Sequence, residues 1–198
     1  MKRFNLILAI VGITFLLSTS AWSATATAIL KGTAPDSKIT GLVTLTEEKG
    51  GLTVIAKVTN VPPGIHGFHI HAIGNCGDMG KAAGGHFNPD KSPHGLYPMD
   101  GPMKAMAGDM GNIVINPDGT GDFSVFMPGL TLNQGKYAVG GLSIIMHEKK
   151  DDFSQPLGNA GSRIACGIIE VQGAAAVAPI AATSIPIGTI VPMQKMKT

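Results

Sequence analysis

Glycine and proline punctuate this chain so densely that long regular helices are excluded. There are 27 glycines and 13 prolines in 198 residues, and the breaks recur at roughly the ten-residue rhythm of a protein built from short strands. Between the breaks the residues alternate or run apolar. Strands are predicted over residues 26–31, 39–47, 52–60, 64–71, 111–116, 121–127, 142–147 and 164–171. Lys49-Gly50-Gly51 and Asn116-Pro117-Asp118-Gly119 carry hairpin-turn chemistry. Eight short strands so spaced predict an all-β antiparallel sandwich or barrel.

Two connections break the rhythm, residues 72–110 and 148–163. Loops of this length in a compact domain are usually functional. The chain's ends also stand apart. Lys2 and Arg3 precede an apolar run from Leu6 to Leu17, too short to span a bilayer, and Ala21-Trp22-Ser23 has the small-x-small pattern of a cleavage site. Residues 1–23 therefore read as a signal peptide, with a retained anchor as the other reading, and the protein as periplasmic or otherwise exported. Residues 24–172 form one domain. Residues 173–198 are mostly Ala, Val, Ile and Pro, with no charge before Lys195. Pro179, Pro186 and Pro192 argue against a spanning helix, so this stretch reads as a disordered tail or as a surface that meets a partner.

The charge balance excludes one class of partner. Removing residues 1–23 leaves 13 basic against 13 acidic residues, and removing the tail as well leaves 11 against 13. Such a domain has no electrostatic footprint for nucleic acid. No membrane span is expected after signal removal. Cys76 and Cys166 are the only cysteines. In an exported chain an even count suggests a disulfide, although two buried thiols would give the same count.

The histidines carry the chemistry. His69 and His71 lie two apart on a predicted strand, so their side chains share one face. His86 follows Gly84-Gly85, His94 lies in the same long loop, and His147 closes another strand. With Asp109 they make a donor set of many imidazoles and few thiolates, which suits copper or zinc better than calcium or magnesium.

Five segments in order bring a resemblance into view: Gly64-Ile65-His66-Gly67-Phe68-His69-Ile70-His71; Gly85-His86-Phe87-Asn88-Pro89; Gly108-Asp109-Met110-Gly111-Asn112; His147-Glu148-Lys149-Lys150-Asp151-Asp152; and the run from Gly158 to Gly167. Over most of residues 28–172 the chain resembles the copper/zinc superoxide dismutases, in their bacterial exported form. The resemblance implies an eight-stranded Greek-key barrel with two functional loops. It implies that His69, His71, His86 and His147 bind copper, that His86 is shared with zinc, and that His94 and Asp109 bind zinc. Arg163 would be the guanidinium beside the copper, with His86 and Arg163 the catalytic pair. Cys76 and Cys166 would form the intrasubunit disulfide. Asp151 would link a copper histidine to a zinc histidine, and His66 would be a framework residue without metal. The substrate implied is the superoxide anion, and the assembly a homodimer or a monomer.

One position departs from the pattern. Where the family usually has a third zinc histidine, three residues before the aspartate, this chain has Met106. A thioether suits Cu(I) far better than zinc, and structural zinc usually needs four protein ligands. Copper is therefore expected as cofactor, and weak or absent zinc. Met99, Met103, Met106 and Met110 recur around this point, either as an apolar patch packing the loop or as a Cu(I)-binding cluster. A copper-binding or copper-delivery protein on the same fold is the alternative function. Arg163 argues against it, because storage needs no guanidinium.

Overall fold

The structure, a computed structural model, describes residues 23–172. The readings of residues 1–22 as most of a signal peptide and of 173–198 as a tail lie outside the described residues. Nine strands form one antiparallel sheet: β1 (Thr25–Gly32), β2 (Thr40–Glu48), β3 (Gly51–Thr59), β4 (Gly64–His71), β5 (Asp109–Ile115), β6 (Gly121–Pro128), β7 (Ser143–His147), β8 (Arg163–Ile168) and β9 (Glu170–Gln172). The order across the sheet is β5-β4-β7-β8-β1-β2-β3-β6, with β9 paired to β1. The sheet curls until its two end strands approach, giving the all-β, nearly closed Greek-key barrel.

Alternation builds the core. Ala26, Ala28 and Leu30 of β1, Val43 and Leu45 of β2, and Leu52, Val54 and Ala56 of β3 point inward, with their neighbours outward. Strand β7 is buried at every position. Its outer face is roofed by the loops 72–108 and 148–162, and outward-facing Ile145 packs with Ala83 and Cys166 in a small second core. In β4, Phe68 and Ile70 join the main core while His69 and His71 face the roof. The metal-type residues thus lie between the barrel wall and its two long loops.

Three details differ from the sequence-based expectation. The last strand is two: the chain turns at buried Ile169, whose N–H donates to Leu142, and β9 continues alone along Thr25–Thr27 of β1. The turn at Asn116–Gly119 forms, with Gly119 donating to Asn116 at 2.9 Å, but β5 and β6 are not ladder partners. It carries the chain across the barrel seam and closes no hairpin. Residues 129–142 are a third long connection, crossing from edge strand β6 to β7. Their glycines (129, 135, 140 and 141) mimic the spacing of ordinary turns. The Lys49–Gly51 turn does close a hairpin, in which Glu48 pairs with Gly51.

Candidate metal centre

The long loop reaches the barrel through backbone pairing. Phe87 donates to Ile70 at 2.8 Å, Ile70 to Gly108 at 2.9 Å and Gly108 to Phe87 at 2.8 Å, and His86 forms a bridge with His71. Only glycine fits at position 108, because a Cβ would stand 2.1 Å from the Ile70 carbonyl oxygen. This weave brings His86, from the start of the loop, and Asp109, from its end, against β4. His147 comes from the end of β7, just after an irregularity in the β7–β8 ladder.

The result is two buried clusters that share one ring. His69, His71, His86 and His147 each offer a donor atom within 4.8 Å of the others, and so do His86, His94 and Asp109. His86 lies 4.2 Å from His69 and 5.3 Å from His94 between ring centroids.

The hydrogen bonds decide where the ring protons sit. A carbonyl or an ionised carboxylate can only accept. The ring nitrogen facing one must therefore carry the hydrogen, leaving its other nitrogen as a lone pair. His71 Nδ1 donates to Gly84 O at 3.0 Å and His147 Nδ1 to Gly161 O at 3.3 Å. His69 Nε2 donates to Asp151 Oδ2 at 2.8 Å and His86 Nδ1 to Asp109 Oδ1 at 2.7 Å. Four lone pairs are left: Nδ1 of His69 and Nε2 of His71, His86 and His147. His71 Nε2 and His147 Nε2 face each other at 3.4 Å with no proton between them. Nδ1 of His69 is buried without a hydrogen-bond partner, whereas Nδ1 of His94 lies 2.9 Å from Asp109 Oδ2. Opposed, unprotonated acceptors in a buried site are the arrangement a cation relieves. The residues present fit a metal ion at the four-histidine cluster.

Asp151 ties the clusters together. Its carboxylate accepts from His69 and from His94 Nε2 at 2.9 Å, and Asn112 clamps its backbone, donating at 3.0 Å and accepting at 2.8 Å. His94 is held likewise by Gln155, which accepts its N–H at 3.1 Å and donates to its carbonyl at 2.8 Å. Asn112 lies inside one of the motifs quoted above. Gln155 had no sequence signal, because its partner is 61 residues away. Gly158 leaves no room for a side chain: a Cβ would fall 1.7 Å from Asp151 Oδ1 and 2.7 Å from His94 Nε2, at a φ of +70°. Gly158→Ala is expected to part Asp151 from His94 and to lower stability by about 2 kcal/mol, measured by urea unfolding. An unchanged midpoint would show that the loop yields freely.

Arg163, at the start of β8, lines a cleft of about 290 Å³ with His71, His86 and His147. Its guanidinium donates to the carbonyls of Gly80, Lys81 and Gly84. The Gly84 oxygen thus holds both Arg163 and His71. The same loop is tied to β8 by the disulfide Cys76–Cys166. His66 bridges the carbonyls of His147 and Pro62, at 2.8 and 2.9 Å, away from both clusters. The four methionines are not one patch: Met110 is buried, Met106 half-buried, and Met99 and Met103 exposed. Met106 meets Asp109 through its backbone, donating to Oδ2 at 3.1 Å and accepting from the Asp109 N–H at 2.9 Å.

The comparisons with known proteins agree with this geometry. The family model for copper/zinc superoxide dismutase (SODC) matches residues 39–169. The chain belongs to the copper/zinc superoxide dismutase family. Superoxide dismutase [Cu-Zn] 2 of Brassica juncea is 39% identical over 134 residues, which are 64% of this chain and 86% of that protein. A solved structure, that of the clock protein EA4, superposes with a TM-score of 0.67 at 30% identity, covering 81% of this chain and all of that one. Copper is the metal that the family and the four-histidine cluster support, with zinc plausible at the second. Among the described residues no helix is long and apolar enough to cross a membrane.

The two clusters differ in how they meet protons. Burial, reinforced by the neighbouring His86, takes His71 down to about 2. Burial likewise takes His147 to about 3 and His69 to about 4, the latter despite its bond to Asp151. These three rings stay neutral at any pH above about 5, ready for a metal. His94 goes the other way. Burial lowers it, but the carboxylates of Asp109 and Asp151 together outweigh burial and raise it to about 9. Below that pH His94 is an imidazolium, and a metal at the second cluster must displace its proton. Calorimetry in buffers of different ionisation heat is expected to show about one proton released from His94 per zinc at pH 7. Zinc affinity should then fall roughly tenfold per pH unit on acidification. The rings of His69, His71 and His147 should add no such term to copper binding between pH 5 and 7. Zinc uptake without proton release would contradict the assignment.

Proposed function

We propose that this protein is a copper-dependent superoxide dismutase, exported from the cytoplasm, in which His69, His71, His86 and His147 hold the copper. The observation that carries the reading is the four lone pairs turned toward one another beside a cleft that also holds Arg163. Bound there, copper would supply the Cu(II)/Cu(I) couple through which two superoxide anions and two protons give one oxygen and one hydrogen peroxide.

The chain's own residues do the rest. Arg163 is fixed by three carbonyls and supplies positive charge in the cleft, drawing in a small anion and orienting it. His86 is the proton carrier: with Nδ1 turned to Asp109, its Nε2 can take a proton and pass it to the peroxide product. Asp151 and the carbonyls of Gly84 and Gly161 keep the other rings in the tautomers that leave their lone pairs free. His86, His94 and Asp109 offer a second, weaker place for zinc. Its three ligands fall short of the four that structural zinc usually takes, and the chain has Met106 at the position where the family resemblance implies a fourth. The disulfide supports export, since such bonds persist in oxidising compartments.

Protein loaded with one equivalent of copper is expected to remove superoxide catalytically. Copper retained without turnover would mark a copper-binding or copper-delivery protein on this fold instead. Met106→His is expected to raise zinc affinity roughly tenfold or more while leaving copper binding unchanged, read by competition with a chromogenic chelator. No gain in zinc would place residue 106 away from the second cluster.

A further inference from the structure

A second cleft, a groove, adjoins the metal cleft along Arg163. It has a volume of about 620 Å³ and shares Gly161 and Arg163 with the metal cleft. Its walls are mainly apolar, from Ile39, Met79 and Ile164, and its charged lining residues are both cationic, Lys81 and Arg163. Asp36 and Asp78 adjoin lining residues in the sequence, and Glu148 lies at the edge, its Oε2 accepting from the Ser162 N–H at 3.4 Å, but none of the three is part of the wall.

The walls are pre-formed. Thr33 accepts no freedom relative to β8: its hydroxyl donates to Arg163 O at 2.7 Å and its N–H to Ile164 O at 3.0 Å. Met79 is 55% exposed, an apolar side chain at the groove's mouth with little to cover it. A concave, mostly apolar site with a few convergent polar groups is the usual form of a small-molecule pocket. Two cations in the wall, against one carboxylate at the Gly161–Ser162 edge, favour an anionic head group placed at the Lys81 side.

We propose that this groove binds an amphipathic carboxylate, with the chain along Ile39, Met79 and Ile164 and the head group toward Lys81 and Arg163. The occupant differs in size from the small anion of the metal cleft. Arg163 lines both clefts, so occupancy of the groove would oppose anion entry beside the metal site.

The test uses copper-loaded full-length protein and sodium octanoate, followed by isothermal titration calorimetry, with 1-octanol as the uncharged control. Octanoate is expected to bind saturably in the sub-millimolar to millimolar range, and octanol at least several-fold more weakly. Met79→Glu, which adds a carboxylate at the mouth, is expected to weaken octanoate about tenfold, and Met79→Lys to strengthen it. Both variants should keep the parent's copper content. No saturable octanoate binding up to about 10 mM, equal binding by octanol, or binding indifferent to both Met79 variants would each overturn the proposal. The binding readout is separate from dismutation, so it can succeed or fail whatever the outcome of the superoxide assay.

Discussion

Cys76→Ser, or reduction of the disulfide in the native protein, is expected to lower stability by about 4.6 kcal/mol and the melting temperature by roughly 10–18 °C. The first figure follows from the length of chain that the bond closes, since Cys76 and Cys166 are 90 residues apart. The consequence for the site is as large. The tethered loop supplies Gly80, Lys81 and Gly84, whose carbonyls hold Arg163, and Gly84 also fixes the tautomer of His71. Dismutation by the reduced, copper-loaded protein should therefore fall about tenfold or more, with a weaker dependence on ionic strength as the guanidinium loses its place. Calorimetric melting and superoxide decay at two salt concentrations check the two halves separately. A reduced protein that melts within about 3 °C of the oxidised one would contradict the stability argument. Unchanged turnover would show that Arg163 is held without the tether.

Asp151→Asn should act on both clusters at once. The carboxylate accepts from His69 and His94 together, and Asp151 is itself buried. Its partners hold it well below the usual carboxylate range, although burial opposes this. An amide has one accepting oxygen and an NH₂ that can only donate. Whichever way the amide turns, its NH₂ meets a donor: the Phe153 N–H and His94 on the Oδ1 side, or His69 and His94 on the Oδ2 side. If His69 takes the other tautomer in response, its Nδ1 becomes protonated and ceases to be a lone pair. Copper affinity is expected to fall 10–100-fold, the usual cost of losing such a supporting contact. His94 should lose part of the pairing that keeps it cationic, so the pH dependence of zinc uptake should shift toward lower pH. Competition titrations with chelators for each metal read both effects. Unaltered copper affinity would mean that His69 keeps its tautomer without the carboxylate.

How much of this was legible in the sequence depends on range. The parity of His69 and His71 is a local property of a strand, and the structure places both on the roofed face. Turn chemistry at Lys49–Gly51 is local too, and the hairpin forms there. The Asn116–Gly119 turn shows the limit of local evidence, because whether two flanking strands pair is decided by how the sheet closes. Position 169 shows the same limit. An apolar run from Ile164 to Val171 reads as one strand, and only contact with Leu142 and β1 divides it. At the site, residue types with few alternative uses, such as histidine clusters, stood out. The supports did not. Gly84 and Gly161 act through backbone carbonyls that every residue possesses, and Gln155 through an amide facing a residue 61 positions away. The carbonyl cage around Arg163 belongs to the same class.

The lone-pair geometry is tested most directly by electron paramagnetic resonance of the protein carrying one equivalent of Cu(II). Convergence of His69, His71, His86 and His147 predicts a single copper species with hyperfine coupling to four imidazole nitrogens, reduced to three by His71→Ala. A spectrum dominated by oxygen ligands, or several species with one or two nitrogens each, would contradict it.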